Sequence, residues 1–586
     1  MGVLLLVSLV GYLLAYNVFV RRDEAFFPVL FCSFAVAVSF VLGLIGPLYV
    51  APYLVAGVGI VLIPVSLIRS GDIRSLLFRS LVHPVVLFWV FGGIWAYVIT
   101  RGVGISQRDD VSHWYRMCKG IFYDGAIPKT PDILFPSYVP GTAMFAAFVS
   151  RFTGFSASNC LFAQSFINLS CCASLLSVLP SFGSWGRKAL ALVSVGAVSI
   201  FLCTLDAGAY CLIVDCTLGL IALAAAVYVL SRDEMTSVDL VLVSLIFVFL
   251  ALTKTSGLLF CVFVLALFLR SSGKKGVGVL LVPVLFVVLY SLRQRYFYPE
   301  FGMSEQSVSV ERFSSLVGEK PMSLVVTAVV DTFMRSILPV LGHCNQVTVF
   351  AVVILVFGAV EFVGWKKGSS AHIYSRYLVA VYFIYVGFLA GTYVFSMTAE
   401  EATVLASYWR YMGTVVIYIS GIVCYLLLRR VASLSGRSFA LGFSCFLASV
   451  LLLPQMVLHC GLYFAGYRYY HAAEPYTMVA WDTLASCVPE NTSYSPYSYV
   501  VIWEDSVVFD DNAMGAKPQY MSEAYLRSDH VFFLTYNYID KIGISEEIDE
   551  QLRSADYIVV VGPVDDRLSV LSEYTSSGTV VSGLNE

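Results

Sequence analysis

The sequence predicts an α-helical polytopic membrane protein of about fourteen spanning helices, followed by a small extracytoplasmic α/β domain. Three observations predict it. Hydrophobic residues fill 59% of the 586 positions and charged residues only 13%, against about 45–50% and about 25% in soluble domains. The apolar residues gather in long runs separated by short loops, many of them basic. Near residue 461 that pattern gives way to short β-branched and aromatic segments. The net charge of −3 supplies no basic field, so nucleic acid is not an expected partner.

A helix crosses a bilayer with roughly 20 apolar residues, or somewhat fewer within a bundle. Runs of that kind lie at 1–19, 28–46, 48–68, 82–100, 159–181, 189–204, 209–230, 238–253, 256–270, 277–291, 346–364, 377–395, 412–428 and 438–460. The first run lacks a basic leader and a small-residue cleavage site, so it is expected to be retained. Lys and Arg collect in cytoplasmic loops. The basic loops are Arg21-Arg22, Arg69/Arg74/Arg79, Arg187-Lys188, Arg270/Lys274-Lys275, Lys366-Lys367/Arg376 and Arg429-Arg430/Arg437. With these inside, the loops at 101–137, 205–208, 292–345 and 396–411 face outward, as does everything after about 461. One segment, "YVPGTAMFAAFVSRFTG" (138–154), is apolar enough to cross but would invert every later loop. It therefore reads as a re-entrant or partial helix approached through Pro136 and Pro140.

The C-terminal segments "SYVVIWEDSVVF", "HVFFLTYN" and "ADYIVVVGP" read as strands, and "SEEIDEQLRSA" as a helix between them. The division is thus a transmembrane domain over 1–460 and an extracytoplasmic α/β domain over 461–586. Most of the 14 cysteines lie in apolar runs, where a thiol packs as a small hydrophobe. Cys118, Cys344 and Cys487 lie outside those runs, and pairing among them stays open.

The polar stretch "RDDVSHWYRMCKG" follows the fourth apolar run and places Asp109 and Asp110 on the first large outward loop. Adjacent acids before a helical pattern suit an N-cap. Here His113, Trp114, Arg116 and Lys119 follow at helical spacing, and Trp114 with Tyr115 suits a helix lying in the membrane interface. Lys254, in "ALTKTSGLLF", sits at a short junction between two apolar runs, where a cation is costly without a partner. Asp215 reads as an intramembrane acid two turns into its helix, either functional or a structural partner for a neighbour.

An outward acidic loop, an interfacial helix ending in "GAIP", the re-entering "FPSYVPGTAMF", Lys254, and Arg410 in "SYWRYMG" together resemble the GT-C superfamily of polytopic membrane glycosyltransferases. The resemblance spans the whole chain in architecture, on short motifs. It departs from the common pattern in having three helices before the one that leads into the acidic loop, and adjacent acids in place of a spaced DxD.

The resemblance implies transfer of a hexose or pentose from a polyprenyl-phosphate-sugar donor to a glycan, lipid or protein acceptor, at the outer face of a plasma (inner) membrane, as in cell-envelope polysaccharide biosynthesis. Such chemistry needs a base for the acceptor hydroxyl and cations for the departing phosphate. Asp109 and Asp110 are the expected catalytic acids. His113, Arg116, Lys254, Arg410, Glu401 and Tyr411 are the expected substrate-binding residues. Arg335, Arg293 and Arg295 are further outward cations that serve either the phosphate or headgroup anchoring. Glu400 and Glu401 are expected to pair with Arg410. Asp206, in "CTLDAGAY", is the candidate ligand for a divalent Mg or Mn ion. The alternatives are a transporter or flippase of polyprenyl-linked glycans, and a polymerase or ligase using the same carrier. A transporter is disfavoured by the lack of inverted repeats, and a scaffold gives no reason for charges to gather on one face.

Overall fold

The computed structural model describes residues 2–105, 107, 109–128, 135, 137–297, 320–337, 349, 353, 371–452, 497–503, 522, 526, 530–561, 566–574 and 579–582. Among these, eight helices are long and apolar enough to cross a membrane, or nine when the pair Ile73–Leu81 and Pro84–Thr100, bent by 51°, counts as one span. Four shorter apolar helices accompany them: Asp215–Leu230, Ser237–Thr253, Gly257–Leu269 and Gly436–Leu451. The fold is a polytopic membrane bundle with a small C-terminal sheet.

In chain order the helices are α1 (Gly2–Ala15), α2 (Phe27–Ile45), α3 (Val50–Ser70), α4 (Ile73–Leu81), α5 (Pro84–Thr100), α6 (Tyr115–Asp124), α7 (Gly141–Thr153), α8 (Ala157–Ala173) and α9 (Trp185–Thr204). They continue with α10 (Asp215–Leu230), α11 (Ser237–Thr253), α12 (Gly257–Ser272), α13 (Leu281–Phe297), α14 (Met322–Ile337), α15 (Ala371–Phe395), α16 (Ala399–Val404), α17 (Tyr408–Ala432) and α18 (Gly436–Leu451). Local chemistry sets several ends. Pro28 and Pro84 occupy first-turn positions of α2 and α5, where a missing N–H costs nothing. Thr236 and Asp239 form a reciprocal capping box at α11, as Thr398 and Glu401 do at α16.

Helices in lipid gain little from burying apolar surface against one another, so close contact needs small residues. The α1–α3 crossing shows this: a Cβ at Gly11 would stand 1.7 Å from the Gly59 carbonyl oxygen. The central pair, α10 and α17, closes in the same way. A Cβ at Gly219 would meet the Thr414 carbonyl at 2.7 Å, and one at Gly421 would meet Leu223 at 2.2 Å. Both helices are buried along nearly their whole length.

Helix α7 has 13 residues, all but Arg151 and Thr153 buried. At 1.5 Å per residue it spans about 20 Å, too short for a bilayer core of about 30 Å. The partial helix expected over 138–154 is therefore present, although Pro136 lies outside the described residues. Gly141 opens α7 against the end of α11, where a Cβ would lie 2.6 Å from the Leu252 carbonyl oxygen.

Two expectations change. The run at 209–230 becomes helical only at Asp215, with a 3-10 turn over Ala207–Tyr210 before it. Asp215 is therefore a first-turn residue, where a carboxylate complements the helix dipole, and not two turns inside. Helix α14 lies within the stretch read as an outward loop. It buries Ala328, Thr332 and Ser336, spaced by four, an amphipathic pattern that a search for long apolar runs passes over. Most of the span expected at 346–364, the end of the one expected at 438–460 (453–460), the domain boundary at 461, Lys366-Lys367, Cys344 and Cys487 lie outside the described residues. Eleven cysteines, Cys118 among them, are described and all are free.

The C-terminal sheet is parallel, in the order β2-β1-β3-β4, with β1 Tyr499–Trp503, β2 Val531–Thr535, β3 Tyr557–Val561 and β4 Thr579–Ser582. Helices Tyr536–Ile542 and Glu546–Ser554 connect β2 to β3. Strand β1 is buried at every residue, as a central parallel strand covered on both faces must be.

Candidate active site

Five chain segments bring charge to one end of the bundle: the loop after α5 (Asp109, Asp110), the loop after α9 (Asp206), the first turn of α10 (Asp215), the α11–α12 junction (Lys254) and the first turn of α17 (Arg410). Lys254 caps α11 in an extended conformation and its carbonyl accepts from Gly257, so its side chain leaves the helix at the turn. Its Nζ donates to Asp215 Oδ1 at 2.6 Å. Arg410 Nε lies 3.2 Å from Asp215 Oδ2, and Arg410 Nη1 pairs with Asp109. Two acids and two cations from four segments thus form one chain, Asp109–Arg410–Asp215–Lys254. The Asp215 side chain is 3% exposed and that of Asp109 40% exposed. Thr414, one turn beyond Arg410, donates to the Asp215 carbonyl and ties the two first turns together.

The adjacent acids have different work. Neither caps the helix that follows: Asp109 stands at the cap position but its side chain makes no cap hydrogen bond. Asp110 is fully buried, and its Oδ2 accepts from the Leu212 N–H at 2.9 Å. Burial pushes its carboxyl well above the usual range. Asp110 therefore fastens the first loop to the loop before α10, while Asp109 remains accessible.

Beside the charged chain lies a cavity of about 650 Å³. Its lining includes Lys254, Tyr411, Trp114, Tyr138 and Ser137, with Leu258, Leu259, Val287 and Phe388 among its apolar residues. The Tyr411 ring lies 4.6 Å from Lys254 Nζ and 5.3 Å from the Arg410 guanidinium carbon, within cation–π range of both. Trp114 stacks on Tyr138 with ring centres 5.6 Å apart. An apolar chamber beside two cations matches an amphiphile with an anionic head.

Several expected binding residues stand elsewhere. His113 is buried among Trp114, Phe135 and Tyr138, and its Nδ1 accepts from the Phe135 N–H at 3.4 Å. Burial, aided by the charge on Arg116, pushes its imidazole down to about 3. It is therefore neutral and offers no cation to a phosphate. Neither His113 nor Arg116 is among the cavity's lining residues. Trp114 and Tyr115 are buried in protein. Glu401 accepts from the Thr398 N–H at 3.1 Å and closes its own helix cap. The expected ion pair of Glu400 and Glu401 with Arg410 gives way to pairs with Asp109 and Asp215. Arg293 donates to the carbonyls of Ile127 and Pro128, holding the end of the first loop.

Asp206 is buried against Gly413, where a Cβ would lie 3.1 Å from its own. Among the described residues no three His, Cys, Asp or Glu side chains come together as a ligand set for a metal ion. No chemical step below runs through a metal ion.

No protein-family model matches the chain. No curated protein matches it in sequence. Two solved structures of ArnT from Cupriavidus metallidurans are similar to it. The apo structure aligns at 13% identity over 84% of this chain and 88% of that one, with a TM-score of 0.44. The other, bound to undecaprenyl phosphate, aligns at 12% identity over 85% and 89%, with a TM-score of 0.42.

Proposed function

We propose that this protein is a membrane glycosyltransferase that moves a sugar from a polyprenyl-phosphate carrier to an acceptor hydroxyl. The observation that carries the reading is the meeting of Lys254 and Arg410, from helices distant in the chain, on one buried carboxylate beside an apolar cavity and an accessible acid.

The acceptor hydroxyl gives its proton to Asp109 as its oxygen bonds to the anomeric carbon. The bond between that carbon and the phosphate oxygen breaks, and the polyprenyl phosphate leaves with the electron pair. Lys254 and Arg410 take up the charge that develops on the phosphate, Lys as a point charge and Arg through its fork. The cavity's apolar wall receives the first part of the polyprenyl chain. By the distribution of Lys and Arg, the site and both termini face outward across a plasma membrane.

The decisive experiment measures binding of a polyprenyl phosphate to the purified protein, alongside transfer from polyprenyl-phosphate sugars. Lys254→Ala is expected to weaken both, and unchanged carrier affinity in Lys254→Ala and Arg410→Lys would remove the phosphate site. Cysteine labelling at positions 105, 365 and 500 checks the orientation, with 105 and 500 outside and 365 inside. An inward 500 would overturn it.

A further inference from the structure

Arg410 is held on both edges by carboxylates, and the two holds are unequal. Asp215 is almost wholly buried, accepts a hydrogen bond from Nζ of Lys254 on one oxygen, has Nε of Arg410 in ion-pair range of the other at 3.2 Å, and sits at the first turn of α10. Asp109 is substantially exposed, lies on a loop, and meets Arg410 through Nη1 alone. An anion approaching Arg410 competes with both. Taking the cations from Asp215 would leave a buried carboxylate without a partner, which is strongly unfavourable. Taking Arg410 from Asp109 leaves an exposed carboxylate that water solvates at little cost.

We propose that Asp215 is the positioning residue of the phosphate site, a fixed anchor that holds Lys254 and Arg410 within reach of one phosphate, so that an incoming lipid phosphate displaces Asp109 and not Asp215 from Arg410. This rests on the reading of Lys254 and Arg410 as the phosphate's ligands. It adds an order of events. Without carrier, Asp109 is occupied by Arg410; once the phosphate takes that edge of the guanidinium, Asp109 is released toward the acceptor hydroxyl. The base thus becomes available only when the donor is in place, which limits idle proton transfer to water.

The two acids then have opposite signs in a binding experiment, and a charge count does not. Removing any negative charge near a phosphate site should tighten the binding of an anion if only net charge matters. On the anchor proposal, Asp109→Asn removes a competitor and binds polyprenyl phosphate as tightly as wild type or up to about tenfold more tightly. Asp215→Asn lets the cations separate and weakens binding by about tenfold or more, on the scale for losing one partner of a buried charge pair. The assay uses full-length protein in detergent, with polyprenyl phosphate as the probe and the unfolding temperature recorded for each variant.

Should Asp215→Asn fail to fold, Asp215→Glu decides. It keeps the charge but shifts the carboxylate by one methylene, and it is expected to weaken the same binding while the protein stays folded. Folded Asp215→Asn, or failing that Asp215→Glu, with affinity equal to or above wild type overturns the anchor. A wild type that does not bind polyprenyl phosphate at all overturns the phosphate reading beneath it, a result distinct from the variant outcomes.

Discussion

Two buried acids of this protein each gather cations, and their surroundings differ. Asp239, in the first turn of α11, accepts from Arg22 through Nε and Nη2 at 2.8 and 3.1 Å, from the Thr236 N–H and hydroxyl at 2.9 and 2.6 Å, and from the Tyr228 hydroxyl at 2.7 Å. Asp215, at the other end of the same α10–α11 hairpin, has one short hydrogen bond from Lys254 and the Arg410 ion pair. Around Asp239 the carboxylate accepts five hydrogen bonds, and Arg22 Nη2 also donates to the Thr236 hydroxyl. Around Asp215 each cation faces a second group: Lys254 lines the cavity and Arg410 reaches Asp109. A saturated acid fastens helices; a shared one keeps cations in place while leaving them free to bind something else. The Asp239 network also lies at the end of the bundle that carries the basic loops, so one end is stapled and the other is equipped.

The largest effect that should separate the two is on rate. Asp109→Asn is expected to lower transfer by about 10²–10⁴-fold, the usual span for a general base, with the unfolding temperature unchanged. Equal activity in that folded variant would dissolve the contrast. Next in size, Asp239→Ala should cost about 3 kcal/mol of stability, near the lower edge for breaking a buried pair because Arg22 is partly exposed. Thermal unfolding in detergent would show it, while the protein that remains folded binds polyprenyl phosphate as wild type does. A matching loss of carrier affinity would mean that the two ends are not independent.

A third test exchanges Arg for Lys at each end. Arg410→Lys keeps the charge but cannot touch Asp215 and Asp109 at once, so transfer should fall about 10- to 100-fold, the worth of one charge-assisted hydrogen bond. Arg22→Lys should lower the unfolding temperature slightly and leave transfer intact. The smallest effect concerns pH. The folded imidazole of His113 is depressed to about 3, below its ordinary 6.5. The unfolded chain therefore binds more protons in that interval, and stability is lost as pH falls from 6.5 toward 3. Asp110, raised in the fold, acts in the opposite sense above the usual carboxylate range. Replacing His113 with Gln should flatten the acid-side decline in unfolding temperature, and an unchanged slope would discard the assignment.

Much of the helical order was legible because bilayer length and apolar runs impose it, and the partial helix at α7 followed from loop charge alone. Lys254 and Arg410 could be singled out because a cation at a helix junction in lipid demands a partner. Which partner was beyond reach: the apolar run from 209 gives no sign that its helix starts only at Asp215, five residues after the 3-10 turn ends. The roles of Asp109 and Asp110 were indistinguishable because adjacent acids differ only in which way the loop turns them. Glu401 does carry a local signal, since Thr398-Ala399-Glu400-Glu401 has the spacing of a capping box. The aromatic pair Trp114 and Tyr138 had none, since stacking across a loop leaves no periodicity.

The absence of a side chain at Gly141 reaches further than the turn it opens. A Cβ there would meet the Leu252 carbonyl, two residues before the lysine that lines the cavity. The partial helix and α11 thus approach too closely there for any side chain larger than hydrogen. Adding a single methyl there would wedge the two helices apart at the point where Lys254 leaves its helix. Graded substitution at 141 is thus expected to shift Lys254 against the chamber without altering any charge.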